Sequence, residues 1–170
     1  LLVSGANGVG KSTLALGISG LLPYRGLLSV CGHEVSSIGN LEDFVSSSIQ
    51  SIHIFNTSLR ENLKIASPDA SDDQLRDVLE KLELSYLNLD EVVGEFGRVL
   101  SGGEVKRIGV ARALLSPAPI VILDEPLEHL DSERSERIKL SILEACKERT
   151  LIVIAHFGWK ELTNTLSLER

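Results

Sequence analysis

The sequence predicts an α/β fold with a mainly parallel sheet core, and two patterns support this prediction. Three short runs, residues 1–3, 120–123 and 151–155, are apolar throughout and lack the polar alternation of a half-exposed strand. Such runs are typical of parallel strands that are covered on both faces. Segments with helical periodicity lie between them, and strands that alternate with helices usually form a parallel sheet.

Apolar residues spaced three and four apart predict the helices. Leu14, Ile18 and Leu21 share one helical face after a glycine-rich segment. A second face follows a capping box of Ser71 and Gln74 and contains Leu75, Val78, Leu79 and Leu82. The same spacing predicts two later helices, at about residues 105–115 and 133–147.

Two stretches lie outside this alternation. Residues 26–35 resemble a short antiparallel pair around a turn, which predicts a small β appendage. Residues 57–95 are mostly helical in pattern and carry no phosphate-binding motif, so they are a candidate second lobe. Only residues 1–4 precede the glycine-rich segment, and we therefore expect the chain to begin inside a domain.

Composition and charge exclude several classes of protein. Of the 170 residues, 43% are hydrophobic and 24% are charged, which is ordinary for a globular protein. The net charge is −7 and the basic residues are scattered, so nucleic acid is not expected as a direct partner. The two cysteines and the lack of a secretory signal before the first motif indicate the cytosol. No apolar run approaches the roughly 20 residues of a membrane-spanning helix.

Residues 5–12 match the G-x-x-x-x-G-K-[ST] pattern of a phosphate-binding P-loop, between a predicted strand and a predicted helix. Glycines let successive backbone N–H groups turn toward a phosphate, and the next helix presents its positive end. We predict that Lys11 holds the β and γ phosphates of ATP and that Ser12 ligates Mg²⁺. The alternative is a glycine turn with a surface lysine. The predicted nucleotide-binding residues of this loop are Gly5, Ala6, Asn7, Gly8, Val9, Gly10, Lys11, Ser12 and Thr13.

The apolar run at residues 120–123 ends in two acids, Asp124 and Glu125. Ligands of α/β sheets lie at the carboxyl ends of such strands. Asp124 is predicted to reach Mg²⁺, directly or through water, and Glu125 to polarise the attacking water as general base. The alternative is a solvated pair of acids at a strand end.

Residues 100–104 read Leu-Ser-Gly-Gly-Glu and precede a predicted helix. A helix N-terminus introduced by serine and two glycines has the chemistry of an anion site. One nucleotide seldom needs two such sites, and the segment could also be a simple N-cap and turn.

The P-loop, the Leu-Ser-Gly-Gly-Glu segment and the acidic strand, in that order, resemble the nucleotide-binding domain of ABC ATPases along essentially the whole chain. The resemblance implies a single P-loop NTPase domain, in which residues 1–50 and 105–170 form a RecA-like core and residues 57–104, approximately, form a helical lobe. In that family two domains pack head to tail around two ATP molecules. The residues implied to contact the partner's γ-phosphate are Ser101, Gly102 and Gly103.

Further site residues are implied by the same resemblance. Gln50 corresponds to the glutamine that senses Mg²⁺ and the attacking water, and residues 130–131 to the turn at the dimer seam. His156 follows the last apolar strand and corresponds to the histidine that contacts the γ-phosphate, although a lone histidine at a strand end is often structural. The implied catalytic residues are Lys11, Gln50, Glu125 and His156, and the implied Mg²⁺ ligands are Ser12, Gln50 and Asp124.

Residues 55–63 and 93–97 resemble segments of exporters within this family. The narrower resemblance is to one half of the bacterial heterodimeric exporter of cysteine and glutathione that serves cytochrome bd assembly. It implies a position at the cytoplasmic face of the bacterial inner membrane, with an exporter's transmembrane domain and a second, identical or different, nucleotide-binding domain as partners. The alternatives are a lipid, multidrug or peptide exporter, a soluble ABC ATPase, and a non-enzymatic regulatory half.

The sequence departs from the family pattern at three positions. Ala6 replaces a frequent proline, and Leu127 and His129 replace threonine and a small residue. None of these removes a catalytic group, although they put the efficiency of the site in question. The aromatic residue that stacks on adenine in the family lies before the P-loop, so the fragment is expected to bind ATP weakly alone. Cys31 and His33 form a C-x-H pair, which is a weak zinc signal without a second pair.

Overall fold

The computed structural model describes residues 1–30, 32–49, 51–156 and 158–169. In chain order its elements are β1 (Leu2–Gly5), α1 (Lys11–Ile18), β2 (Ser29–Val30), β3 (His33–Glu34), 3₁₀ turns at Val35–Ser37 and Leu41–Asp43, β4 (Val45–Ser48), β5 (Thr57–Ser58), α2 (Leu59–Lys64), α3 (Asp72–Lys81), β6 (Val92–Val93), α4 (Gly102–Leu115), β7 (Ile120–Asp124), α5 (Ser132–Ala145), β8 (Thr150–Ile154) and β9 (Thr165–Leu168).

A five-stranded parallel sheet in the order β4-β7-β8-β1-β9 forms the centre of the molecule. The three apolar runs of the sequence are its neighbouring strands β7, β8 and β1. In register, Asp124 of β7 lies beside Ile154 of β8, and Leu2 of β1 lies beside Val153 of β8. The predicted α/β fold with a mainly parallel sheet is confirmed, and all five strands point their carboxyl ends to one edge.

Both faces of this sheet are covered, which explains why its central strands do not alternate with polar residues. Val121 and Leu123 of β7 belong to the larger apolar cluster, to which α2, α3, α4 and α5 also contribute. Ile122 belongs to a smaller cluster on the opposite face, with Ala15 of α1 and Ile154 of β8. The sheet is therefore the middle layer of three, with α1 on one side and the other helices on the opposite side.

Two strands of the sheet, β4 and β9, were not among the predicted ones. β4 is rich in serine and pairs with β7, and β9 pairs in parallel with β1. α4 packs on β4 at Gly109. A Cβ atom at Gly109 would lie 2.2 Å from the Ile52 side chain and 2.9 Å from Ser48 Oγ. The small serine side chains of β4 are compatible with this close approach. Larger apolar side chains would have formed an apolar run, from which the strand could have been predicted.

The first helix ends earlier than its apolar pattern predicted. α1 ends at Ile18, and Leu21 is 64% exposed instead of lying on the apolar face. Gly20 adopts a left-handed φ of 70°. The N–H of Leu21 donates to the carbonyl of Leu16, and that of Gly20 to Gly17. These paired bonds are a Schellman motif, in which a left-handed glycine terminates the helix, so the prediction for Leu21 was wrong.

The other local predictions agree with the structure. β2 and β3 form the antiparallel appendage, and the capping box of Ser71 and Gln74 starts α3. α4 begins three residues earlier than expected, at Gly102. None of the helices in the described ranges is both long and apolar enough to span a bilayer. The division into a RecA-like core and a lobe at about residues 57–104 stays a prediction.

The tight contact at Gly109 predicts opposite effects of two glycine substitutions in helices. Gly109→Ala should lower the free energy of unfolding by about 1–3 kcal/mol, because the new methyl group overpacks the space between α4 and β4. Gly17→Ala in α1 is the matched control, since a Cβ there meets no atom within 4 Å. It should raise stability by about 0.5–1 kcal/mol. Urea unfolding of both variants measures the difference, and equal effects would contradict the packing argument.

Candidate active site

Three glycines in left-handed conformations shape the loop between β1 and α1. Their φ angles are 144° at Gly5, 75° at Gly8 and 108° at Gly10. A Cβ at Gly5 would lie 2.6 Å from the backbone oxygen of Leu168 in β9, so the loop starts where two strands approach closely. Residues with a Cβ rarely adopt these angles. The loop therefore has the curvature that turns backbone N–H groups toward a bound anion.

Lys11, the first residue of α1, is buried although it is charged. Its Nζ donates hydrogen bonds to the carbonyl oxygens of Gly5 at 2.8 Å and Ala6 at 3.2 Å. The side chain therefore folds back along the loop and holds its ammonium group beside the loop backbone. The neighbouring Ser12 is half-buried and Thr13 is exposed.

Asp124, the last residue of β7, is only 4% exposed. Its Oδ2 atom is buried and makes no hydrogen bond to any described residue. A buried carboxylate oxygen is unfavourable unless a cation or a donor compensates it. Carboxylate and hydroxyl oxygens are suitable ligands for Mg²⁺, and Ser12 lines the same cleft. The residues present therefore fit a magnesium ion held by Asp124 and Ser12.

Glu125 follows β7 in a left-handed conformation, with a φ of 47°. Its backbone N–H donates to the carbonyl of Ile154 at 2.8 Å, so it remains joined to the end of β8. Its Oε1 atom lies 3.7 Å from Nε2 of His156. The ends of two neighbouring strands thus bring an acid and a histidine together.

The environment of Glu125 makes its carboxylate more basic than usual. Burial is the largest cause and raises its pKa, and the negative charges of Asp124 and Glu128 act in the same direction. His156 and Lys106 act in the opposite direction, but the pKa stays above its ordinary value. A raised pKa is a property of carboxylates that accept protons in catalysis.

Most of these groups line one open cleft of about 1110 Å³, but Gly5, Ala6 and Val9 are not among the described residues that line it. Of the predicted site residues it contains Asn7, Gly8, Gly10, Lys11, Ser12, Thr13, Asp124, Glu125 and His156. Gln50 lies outside the described residues, so its predicted role has no structural description. Cys31 also lies outside them, and the C-x-H pair is therefore not described. Lys106 and Lys139 line the cleft as well, and neither was recognised from the sequence because each lies within an ordinary helical pattern.

Ser101, Gly102 and Gly103 are not among the described residues that line this cleft. Ser101 caps α4 in a capping box with Glu104, whose backbone N–H donates to Ser101 Oγ. Ser101 in turn donates from its backbone and its hydroxyl to Glu104 Oε2, both at 2.7 Å. The first N–H groups of α4 have no partner within the helix. This helix end lies outside the cleft among the described residues.

A network of donors holds the Glu104 carboxylate. Burial alone would raise its pKa, but hydrogen bonds from Ser101 and Tyr86 and the charge of Arg98 keep that pKa below its ordinary value. Tyr86 Oη donates to Oε1 at 3.0 Å and Arg98 Nη2 at 3.1 Å. The N-terminus of α4 is therefore held by a charged side chain in one fixed orientation.

Two departures from the family pattern have a structural explanation. His129 has a φ of 66° and is exposed, and histidine is among the residues that tolerate this conformation. Leu127 is half-buried against the larger apolar cluster. Asp131 caps α5 by accepting from the Arg134 N–H at 2.9 Å. The turn at residues 127–131 is thus packed and capped despite its unusual residues.

A left-handed glycine loop between a strand and a helix, with a neighbouring strand that ends in a buried aspartate and a glutamate, defines a P-loop nucleotide-binding protein. A family profile described as ABC transporter matches residues 1–128. The chain belongs to the ABC transporter family and has its ATP-binding, ATP-hydrolysing domain.

Relatives that the chain resembles to a similar degree have different named cargoes. The chain is 36% identical over 163 residues to the glutathione/L-cysteine transport system ATP-binding/permease protein CydC of Escherichia coli (strain K12), an alignment with 92% of this chain and 28% of CydC. It is 38% identical over 161 residues to the beta-(1-->2)glucan export protein NdvA of Rhodopseudomonas palustris (strain BisB5), with 89% of this chain and 27% of NdvA. It is 37% identical over 168 residues to the ATP-dependent lipid A-core flippase of Photobacterium profundum, with 92% of this chain and 28% of the flippase.

A solved structure agrees with these relatives. A bacterial Atm1-family ABC exporter with ATP bound superposes with a TM-score of 0.86 at 26% identity, over 99% of this chain and 31% of that one. The chain therefore spans less than a third of the length of each of these similar proteins.

Proposed function

We propose that this chain is the ATP-hydrolysing motor domain of an ABC exporter, in which ATP closes two such domains and hydrolysis reopens them. One observation carries the proposal. The ends of β1, β7 and β8 place the glycine loop, the Asp124–Glu125 pair and His156 around one cleft. This arrangement supplies a phosphate cradle, a metal-binding carboxylate and a general base within a single site.

The glycine loop and the start of α1 bind the nucleotide. Backbone N–H groups of residues 5–13 surround the phosphates, and Lys11 contributes the positive charge toward the β and γ phosphates. Asp124 and Ser12, with Gln50, would hold Mg²⁺, which when bound would neutralise part of the negative charge on the phosphate oxygens.

Hydrolysis depends on the groups at the ends of β7 and β8. Glu125 accepts a proton from the attacking water, which adds to the γ-phosphorus while the bond to the ADP oxygen breaks. His156, whose Nε2 lies 3.7 Å from Glu125 Oε1, contacts the γ-phosphate. Gln50 contacts the attacking water and couples its binding to the membrane part of the transporter. The products are ADP and inorganic phosphate.

In this proposal, the second anion site of this chain serves the nucleotide that is bound by the partner domain. Ser101, Gly102 and Gly103 do not line the cleft of their own chain within the described residues, and Ser101 and Gly102 are exposed. A second nucleotide-binding domain, identical or different, can therefore present its own cleft to them. Each ATP molecule would then lie between the P-loop of one domain and the α4 N-terminus of the other.

The similarity to exporters supports export as the process to which ATP hydrolysis is coupled. CydC and NdvA are named as ATP-binding/permease proteins, and this chain aligns with less than a third of each. We infer that the remainder of the full-length protein supplies membrane-spanning segments, with this domain at the cytoplasmic face of a bacterial inner membrane. A soluble ABC ATPase is a less favoured alternative, because residues 55–63 and 93–97 resemble exporter segments.

A small thiol compound, cysteine or glutathione, is the proposed cargo. The narrower sequence resemblance and the similarity to CydC support it. The glucan exporter and the lipid A-core flippase are similar to the same degree, so glucan and lipid export are the competing assignments. Cargo selectivity does not depend on the residues of this ATP site.

The role of Glu125 predicts a separation of ATP binding from turnover. Glu125→Gln in the full-length protein should leave ATP binding intact and lower turnover at least ~10²-fold, because the general base is lost. Lys11→Ala should weaken binding itself, since the phosphates lose their positive partner. Nucleotide binding and phosphate release measured on both variants test this contrast. Wild-type turnover in Glu125→Gln would exclude the proposed base.

The raised pKa of Glu125 predicts the acid side of the pH–rate profile. Glu125 must be ionised to accept a proton, so turnover falls as the pH drops through its pKa. This acid limb should lie above the ordinary glutamate value of 4.5. Glu128→Gln removes a charge that raises the pKa of Glu125 and should move the limb to lower pH. Glu133→Gln, which removes an exposed charge on α5, is the control and should leave the limb in place.

The proposed cargo predicts ATP-dependent uptake of glutathione. Inverted membrane vesicles that contain the full-length protein should accumulate labelled glutathione with ATP, and Glu125→Gln should abolish the accumulation. Labelled β-glucan and a lipid A-core probe are measured in parallel. Transport of one of these without glutathione would exclude the thiol assignment while leaving the motor assignment intact.

A further inference from the structure

Lys139 is a buried lysine on α5 that has no role in the site described so far. It is only 5% exposed, although lysine is rarely buried unless its charge is paired. Its Nζ contacts the carboxylates of Glu136 at 2.8 Å and Glu161 at 2.9 Å, and it donates to the carbonyl of Gly158 at 3.1 Å. Burial would lower its pKa, but the two carboxylates raise that pKa above its ordinary value. The side chain is therefore a charged centre with three partners.

Two of these contacts cross from α5 to the segment that follows β8. Gly158 and Glu161 belong to that segment, whereas Glu136 lies one turn before Lys139 on the same helix. Gly158 has a left-handed φ of 94°, so the chain turns at the residue whose carbonyl Lys139 binds. Lys139 thus joins the helix to the turn after the strand.

His156 lies between two fixed points. Before it, Ala155 is buried and its N–H donates to the carbonyl of Val3 in β1. After it, Gly158 is held by Lys139, and Trp159 is buried in the larger apolar cluster. His156 itself is partly exposed, with 38% of its side chain accessible. The described residues on both sides of His156 are therefore held in place by contacts with other elements.

We propose that Lys139 is a positioning residue that fixes the turn after β8 and thereby holds His156 beside Glu125. The inference rests on the proposed function where it concerns turnover, but the position of His156 can be measured independently. Trp159 contributes apolar packing that holds the segment after β8 against the larger apolar cluster, but such packing does not fix the orientation of the turn. The hydrogen bond to Gly158 and the ion pair to Glu161 supply the direction, since both require a defined geometry.

Removal of this lysine charge is compatible with folding. The side chains of Glu136 and Glu161 are 58% and 39% exposed, so water can solvate both carboxylates after a Lys139→Met substitution. The methionine replaces the buried aliphatic part of lysine with a side chain of similar length. Glu161→Gln leaves Lys139 in place and weakens one of the two contacts that cross to the segment, while the hydrogen bond to Gly158 remains. It provides a second, milder variant.

The position of His156 is tested by its rate of modification with diethyl pyrocarbonate, measured by peptide mass spectrometry on the full-length protein. Lys139→Met and Glu161→Gln should both raise this rate, because the turn no longer holds the imidazole against the cleft. Glu136→Gln is the matched control. It removes a carboxylate from the same lysine, but one on the same helix, and should leave the rate unchanged. His129, an exposed residue in the neighbouring turn, is the internal reference.

ATP turnover supplies the second readout. Lys139→Met should lower kcat by roughly tenfold or more with little change in KM, because a small displacement of a catalytic group is costly. The same substitution in a His156→Ala background should cause no further loss, and Lys139→Arg should restore part of the rate.

An unchanged modification rate in Lys139→Met, or an equal loss of turnover in the presence and absence of His156, would overturn the inference. Wild-type turnover of His156→Ala would instead contradict the proposed role of His156. In that case the modification rates alone decide whether Lys139 positions it.

Discussion

A single backbone hydrogen bond, from the N–H of Glu125 to the carbonyl of Ile154 at 2.8 Å, extends the pairing of β7 and β8 beyond the last residue of β7. It is possible because the two strands are in parallel register up to Asp124 and Ile154. Parallel strands bring their carboxyl ends to one edge of the sheet. The two acids at the end of β7 and the histidine after β8 therefore meet beside the glycine loop after β1, and the chemistry of the cleft follows from this register.

The same edge contains the unusual backbone conformations of the site. Glu125 has a positive φ although it is not glycine, and such a residue costs about 1–3 kcal/mol. Leu123 and Val153, in the two strands beneath it, are fully buried at 0% exposure. A rigid sheet of this kind can maintain a strained residue at its end. Gly5 and Gly8 avoid the cost by lacking a Cβ atom, so glycines occupy the left-handed positions of the loop.

Local and apolar features of the fold could be predicted from the sequence, and long-range polar ones could not. Short apolar runs mark the strands β1, β7 and β8. Patterns of four residues mark the capping boxes at Ser71 and Ser101. β4 lacked such an apolar signal because it is rich in serine, and Ser48 lies where α4 approaches closely at Gly109. Lys139 lacked a local signal because its partners at Gly158 and Glu161 are about twenty residues away. The glycine loop and the acid pair could be predicted from local motifs. The short distance between Glu125 and His156 could not, because it depends on β7 and β8 being neighbours in the sheet.

The two buried lysines of the cleft, Lys11 and Lys139, differ in the partners that the described part of the chain provides. The hydrogen-bond partners of Lys11 are the neutral carbonyls of Gly5 and Ala6, so its charge is not neutralised by them. Lys139 contacts two carboxylates, and its charge is compensated inside the protein. A phosphate that enters the cleft is therefore attracted more strongly by Lys11 than by Lys139. Lys139, with its field cancelled at short range, can act only through the backbone and side chains that it holds in place.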